Sequence, residues 1–129
     1  MEGLTGILSR EHQVVLQKLE LFEKALDPYN PQGVKEAVRF FDGSLPLHRR
    51  KEEEHLFPEV ARHFPPEAGP VHCMLEEHKD EKDHLEALRT ASDKGDQAGV
   101  IENGRYILNL LRNHIWKEDH ILFPMAEQM

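Results

Sequence analysis

The stretch His48-Arg49-Arg50-Lys51-Glu52-Glu53-Glu54-His55-Leu56-Phe57-Pro58 is written a second time as His114-Ile115-Trp116-Lys117-Glu118-Asp119-His120-Ile121-Leu122-Phe123-Pro124, and nothing else constrains the fold as tightly. Each copy carries a histidine, a glutamate four residues on, a second acid, and a closing Leu-Phe-Pro. On a helix, residues four apart share one face about one turn apart, so an imidazole and a carboxylate at this spacing can reach one ion. Two such helices face to face would form a paired metal site.

The duplication extends through most of the chain at a constant offset of 66 residues (48 to 114). It lays Gly33, Val34, Glu36, Arg39 and Leu45 on Gly99, Val100, Glu102, Arg105 and Leu111, and Glu11-His12 on Glu77-His78. It also lays Leu19-Glu20 on Leu85-Glu86 and Asp27 on Asp93. An ungapped register of this length predicts a duplicated helical hairpin. At 129 residues one domain is expected, residues 1–129, with halves at about 3–63 and 69–129.

Apolar residues recur at helical spacing in four segments. The first is expected from about Gly6 to Leu26, with Leu8, His12, Val15, Leu16, Leu19, Phe22 and Leu26 on one face. Asp27 to Gly33 reads as a stop and turn. The second helix is expected from about Val34, with Val34, Val38, Phe41, Leu45, His48, Glu52 and His55 inward, bent at Pro46 and closed by Pro58 and the Pro65-Pro66 pair near His63. The third starts at Pro70, runs to about Ala91 and turns Val71, Met74, Leu75, His78, Leu85 and Leu88 inward. Asp96 caps the fourth, whose inner face is Val100, Ile107, Leu110, Leu111, His114, Glu118, Ile121, Leu122 and Met125. The predicted fold class is all-α, an up-down-up-down four-helix bundle.

This places His12, His48, Glu52, His78, His114 and Glu118 among core positions, where unpaired charge costs several kcal/mol. Metal coordination accounts for them: two ions bridged by Glu52 and Glu118, one served by His12 and His48, the other by His78 and His114. Imidazole and carboxylate donors without thiolate suit iron or manganese, with zinc as an alternative. The donors fall short of octahedral coordination, leaving room for an oxo bridge and for dioxygen, nitric oxide or peroxide. His55 and Glu81 also read as inward and are candidate additional ligands or hydrogen-bonding partners. His63, His72, His84 and His120 read as solvated, Cys73 as inert, and Trp116 as an outward aromatic at a possible weak homodimer contact. A second scheme uses the E-x-x-H pairs Glu52 to His55 and Glu81 to His84, but these fall on helices the repeat does not relate.

With these residues the chain resembles the hemerythrin-like proteins, in particular the HHE cation-binding domains. The resemblance covers essentially the whole chain: a lone histidine on the first helix, H-x-x-x-E then Leu-Phe-Pro on the second, a histidine on the third, and a histidine with a carboxylate on the fourth. It implies a four-helix bundle around a non-haem di-iron centre that binds oxygen or nitric oxide or handles iron and oxidants. Oxygen-carrying members have H-x-x-x-H on the third helix, where this chain has Met74 in place of the first histidine. The remaining four histidines look more like the symmetric centres of relatives in iron-sulfur repair and nitric-oxide response. The carriers also use H-x-x-x-x-D on the last helix, which His114 and Asp119 satisfy. Glu118 is preferred as the repeat mate of Glu52, about 40° around the helix from His114 where Asp119 is about 140° away.

Composition narrows the function further. A formal charge of −8 without a basic stripe argues against nucleic acid. One cysteine excludes an internal disulfide, the first residues lack the character of a secretory signal, and no apolar run approaches membrane-spanning length. A cytoplasmic protein without a membrane partner is expected, monomeric or weakly dimeric. Three functions remain open: a di-iron protein that binds or senses a small ligand, an enzyme that decomposes peroxide or donates iron in repair, and a zinc-bound or metal-free structural bundle.

Overall fold

The computed structural model describes residues 2–64 and 69–129. Four rods account for nearly all of them. Helix α1 spans Glu2–Leu26. Rod α2, residues 31–61, runs as α-helix over Pro31–Lys51, widens to a π-helical turn at Glu52–Leu56, and resumes at Phe57–Ala61. Helix α3 spans Pro70–Lys94, and rod α4, residues 97–127, repeats the pattern with Gln97–Lys117, a π turn at Glu118–Leu122 and Phe123–Glu127. Each rod packs on two neighbours, α1 on α2 and α4, and α3 on α4 and α2. The result is the expected all-α bundle, with no strand among the described residues.

The helix starts are set by local chemistry. Asn30 Oδ1 accepts from the Gln32 and Gly33 amides, and Pro31 brings its fixed φ to the first turn, so α2 begins three residues before the expected Val34. Asp96 caps α4 as expected, its Oδ1 accepting from the Gly99 amide at 3.0 Å. Helix α3 continues past Ala91 to Lys94 and stops at Gly95, whose φ of 71° is left-handed. Gly33 and Gly99 stand where each hairpin closes: a Cβ on Gly33 would lie 2.9 Å from Ala25 Cβ, and one on Gly99 would lie 3.1 Å from Ala91 Cβ. Ala25 and Ala91 are themselves repeat mates, so both hairpins close over the same pair. The helix runs through Pro46 without interruption. The Pro65-Pro66 pair lies outside the described residues.

The two π turns correct the expected inner faces. Each begins at the glutamate of the duplicated motif and ends just before Phe-Pro, with the Phe57 and Phe123 amides donating to the carbonyls of Glu52 and Glu118. Pro58 and Pro124 cannot donate and crowd the carbonyl four residues back, which a wider turn relieves. Proline alone does not dictate the widening, since Pro46 sits in regular helix. A π turn holds one residue more than an α turn, so everything beyond it rotates by about 100°. His55 and Ile121, expected inward, are therefore exposed, Ile121 by 48%, and Leu56, Phe57 and Val60 with Leu122, Phe123 and Ala126 take the core positions. Leu75 is also exposed, because it lies about 100° from the middle of the stripe formed by Met74, His78, Glu81, Leu85 and Leu88.

The core is consequently split. A larger apolar cluster around Leu19, Phe22, Phe41, Leu88, Ile107 and Leu111 fills the end near the hairpin turns. A smaller one of Leu8, Leu56, Phe57, Val60, Met74, Leu122, Phe123 and Ala126 fills the other. Between them lies a layer of buried His12, His48, Arg49, Glu52, His78, Glu81, His114 and Glu118.

Candidate metal centre

All six residues singled out by the repeat meet in this layer, each at most 7% exposed. They form two overlapping groups of four whose candidate ligand atoms lie within 4.8 Å of one another: His12, His48, Glu52 and Glu118 in one, and Glu52, His78, His114 and Glu118 in the other. The two carboxylates belong to both groups. Glu52 spans them directly, with Oε2 3.3 Å from His48 Nε2 and Oε1 3.0 Å from His78 Nε2. Glu118 Oε1 lies 3.1 Å from His12 Nε2 and 3.2 Å from His114 Nε2.

Each imidazole is oriented from behind by a carboxylate. The Nδ1 atoms of His12, His48, His78 and His114 meet Asp119 at 2.8 Å, Glu11 at 2.9 Å, Glu53 at 2.6 Å and Glu77 at 2.8 Å. An Nδ1–H donated outward leaves the Nε2 lone pair facing the centre, the tautomer a metal requires. The pairing obeys the repeat: Glu11 and Glu77 are mates, as are Glu53 and Asp119. Lys51 and Lys117, also mates, hold the second oxygens of Glu11 and Glu77. From the sequence Asp119 was weighed only as an alternative ligand, and the outer roles of all four acids and both lysines were missed. Their signal was present in the duplicated Glu-His dipeptide and in the acid after each motif glutamate, but their role depends on contacts between helices.

The polar atoms of the centre satisfy one another only in part, through the bond between His78 Nε2 and Glu52 Oε1. Glu52 Oε2, His114 Nε2 and both oxygens of Glu118 are fully buried without a hydrogen bond. His12 Nε2 and His48 Nε2 approach to 3.1 Å, a contact between two lone pairs unless a proton or a cation lies between them. Orphaned donors and acceptors of this kind cost about 1–3 kcal/mol each. Inward nitrogens and oxygens in two sets of four, four of the atoms without a partner, fit bound cations.

The electrostatics point the same way. Burial opposes a charge on His12, yet Asp119 and Glu118 push its pKa up to about 9. Burial likewise opposes the other three, but Glu52 raises His48 and His78, and Glu118 and Glu77 raise His114 well above the ordinary range. Burial works against Glu118 too, and the neighbouring Glu52, His114 and His12 hold its carboxyl low. Glu77, opposed by burial, is drawn down to about 2 by His114 and Lys117. The site favours positive charge at its middle, whether as protons or as metal.

Apolar rings cap the layer. Phe123 stacks on His12 with centroids 5.4 Å apart, and Phe57 lies 5.5 Å from the His78 ring. Of the other candidates, Glu81 is buried but bonds Arg49 Nη1 at 2.5 Å. His55 is exposed, and His84 stacks on Tyr106 at 3.8 Å on the outside, so the E-x-x-H scheme does not converge. His63, His72 and His120 are exposed, as are Cys73 and Trp116. Asp119 stands behind His12 and accepts from Ser9 Oγ, while Glu118 faces the centre.

Known proteins resemble this chain. Residues 4–126 match the Hemerythrin HHE cation binding domain. Among curated proteins, the iron-sulfur cluster repair protein YtfE of Musicola paradisiaca is 30% identical over 109 residues, covering 74% of this chain and 47% of that protein. Its namesake in Enterobacter sp. is 29% identical over 105 residues, covering 74% and 48%. That of Citrobacter koseri is 27% identical over 128 residues, covering 88% and 56%. The chain thus spans about half the length of the curated relatives it matches, and no solved structure matches it significantly. With its match running over nearly the whole sequence, the chain belongs to the hemerythrin HHE cation-binding domain family, a metal-binding four-helix bundle.

Proposed function

We propose that the chain holds two iron ions between His12, His48, His78, His114, Glu52 and Glu118, and binds dioxygen, nitric oxide or peroxide there. The observation that carries this reading is the set of orphaned, inward-facing atoms on Glu52, Glu118 and His114, in a layer where every imidazole is already oriented from behind. Four nitrogens and two shared carboxylates, with no thiolate, suit iron better than the closed sulfur-rich sites of structural zinc. When bound, the ions would supply electron transfer and open coordination positions. The protein's own part is to fix each imidazole by its outer carboxylate, to straddle the pair with Glu52 and Glu118, and to exclude bulk water with Phe57 and Phe123.

A second reading, iron handling in repair, is favoured by the names of the YtfE relatives. The two separate experimentally. Freshly purified protein is analysed for metal, and its visible spectrum is followed in air, under reductant, and after adding azide or nitric oxide. The binding reading expects two irons, a reducible oxo-bridge band, and a band shift with added ligand; one zinc or none would overturn it. Net transfer of iron from the loaded chain to a cluster-free acceptor protein would favour repair. Peroxide loss no faster than with metal-stripped protein would remove a peroxidatic role.

A further inference from the structure

Outside its ligands and its closing Leu-Phe-Pro, the duplicated motif keeps one residue unchanged. Arg49, Arg50, Glu53, Glu54 and His55 become Ile115, Trp116, Asp119, His120 and Ile121, while Lys51 recurs as Lys117. Both lysines stand outside the centre. Lys51 reaches from α2 to Glu11 Oε2 on α1, and Lys117 from α4 to Glu77 Oε2 on α3, with side chains 42% and 37% exposed. Exposed ion pairs add about 0–1 kcal/mol to stability, so the fold alone gives little reason to write this contact twice.

The two contacts share what lies behind them. The other oxygen of Glu11 meets His48 Nδ1, and the other oxygen of Glu77 meets His114 Nδ1. The remaining two imidazoles have no such cation. Asp119, behind His12, takes the Ser9 hydroxyl, and Glu53, behind His78, bonds no other side chain among the described residues. His12 and His48 belong to one group of four, His78 and His114 to the other. Each group therefore holds one imidazole backed by a bare carboxylate and one backed by a carboxylate that a lysine neutralises. Burial opposes charge on Glu11 and Glu77, yet the lysine and imidazole flanking each hold both carboxyls low, Glu77 at about 2.

We infer that Lys51 and Lys117 are positioning residues of the metal centre: by neutralising the outer oxygens of Glu11 and Glu77 they weaken the pull of these carboxylates on His48 and His114, and so favour the ferrous state of the ions. This rests on the proposed iron pair. A carboxylate that accepts from Nδ1–H makes its imidazole a stronger electron donor, which favours the higher metal charge. A cation on that carboxylate draws the electron density back. Because each ion has one imidazole of each kind, the lysines raise both potentials together rather than setting the ions apart.

The test reads the potential of iron-loaded protein by spectroscopic titration with redox mediators. Lys51→Met with Lys117→Met removes both cations at nearly constant length and leaves the carboxylates on their imidazoles. Outer partners of metal ligands shift affinity about tenfold to a hundredfold, and a lysine one contact further out acts at the low end. The double variant is expected to keep its iron and to show a ferrous-to-ferric ratio about tenfold lower at a fixed potential, a midpoint lower by about 59 mV for a one-electron step. Lys51→Arg with Lys117→Arg keeps both charges and should hold the ratio within about twofold of the parent. Lys24→Met removes an exposed cation whose partner is Glu20, and should also stay within about twofold. A second readout uses zinc-substituted protein, in which magnetic resonance follows the Nδ1 protons: Lys51→Met should move the His48 resonance and leave those of His12, His78 and His114 in place. An unmoved or raised midpoint overturns the inference, as does an equal fall in Lys24→Met, failure of arginine to restore, or a shift of all four imidazole protons or of none. Loss of iron from the double variant also overturns it, by making the lysines part of the centre's assembly. A parent chain that takes up no iron would instead refute the metal reading itself and this inference with it.

Discussion

Asp119→Asn isolates what an outer carboxylate contributes to a single imidazole. Asp119 Oδ1 lies 2.8 Å from His12 Nδ1 and accepts from Ser9 Oγ at 2.9 Å, and its side chain is 19% exposed. Asparagine has nearly the same shape and can still accept from Ser9 through its oxygen. The same oxygen also faces His12 Nδ1, so that bond can persist, but a neutral amide holds the ring proton on Nδ1 and raises the basicity of Nε2 less than a carboxylate does. The loss is the charge behind one ligand, roughly tenfold to a hundredfold in metal affinity. Because His12 belongs to only one group of four, a chelator competition on the iron-loaded protein should become biphasic, with one ion weakened by that factor and the other nearly unchanged. Uniform weakening of both ions, or no weakening, would refute the division of the site and the orienting role of Asp119.

Three further outcomes follow from the geometry. His12 is raised to about 9 in the metal-free fold, so its contribution is complete below about pH 6.5 and is lost as pH rises through 9. Chelator-stripped protein should therefore melt at lower temperature at pH 9 than at pH 6.5, while metal affinity rises over the same window as protons leave the ligands; a stripped protein equally stable at both would contradict this. His78→Ala should lower metal content and His84→Ala should not, since His78 is buried in the cluster and His84 stacks outside on Tyr106; equal loss in both would mean the ligand set is wrong. Gly104→Ala would place a Cβ 2.8 Å from the fully buried Phe22 ring, so overpacking of about 1–3 kcal/mol should exceed the helix-propensity gain of about 1 kcal/mol, and thermal unfolding should come earlier with iron content intact.

Much of the bundle was legible because the chain states its plan twice. A constant offset picks His12, His48, His78 and His114 from nine histidines, and the structure brings those four to one layer. Periodicity misled at His55 and Ile121 because it assumes 3.6 residues per turn throughout, and the π turns at Glu52–Leu56 and Glu118–Leu122 add a residue that no propensity announces. The outer acids Glu11, Glu53, Glu77 and Asp119 were visible as duplicated neighbours of the ligands. Which imidazole each would meet depends on how α1 and α3 sit against α2 and α4. The asymmetry at Arg49 and Glu81 was also present in the sequence, as mates of Ile115 and Val15, but a charge at a core-like position acquires meaning only once its partner across the bundle is known.

The central claim, a pair of metal ions held between four imidazoles and two shared carboxylates, is most directly tested by anomalous diffraction at the iron edge from a crystal of the purified chain. The account predicts two peaks about 3.5–4 Å apart, one among His12, His48, Glu52 and Glu118 and the other among Glu52, His78, His114 and Glu118. A single peak, a peak outside these residues, or an iron-free layer in protein grown with iron would contradict it.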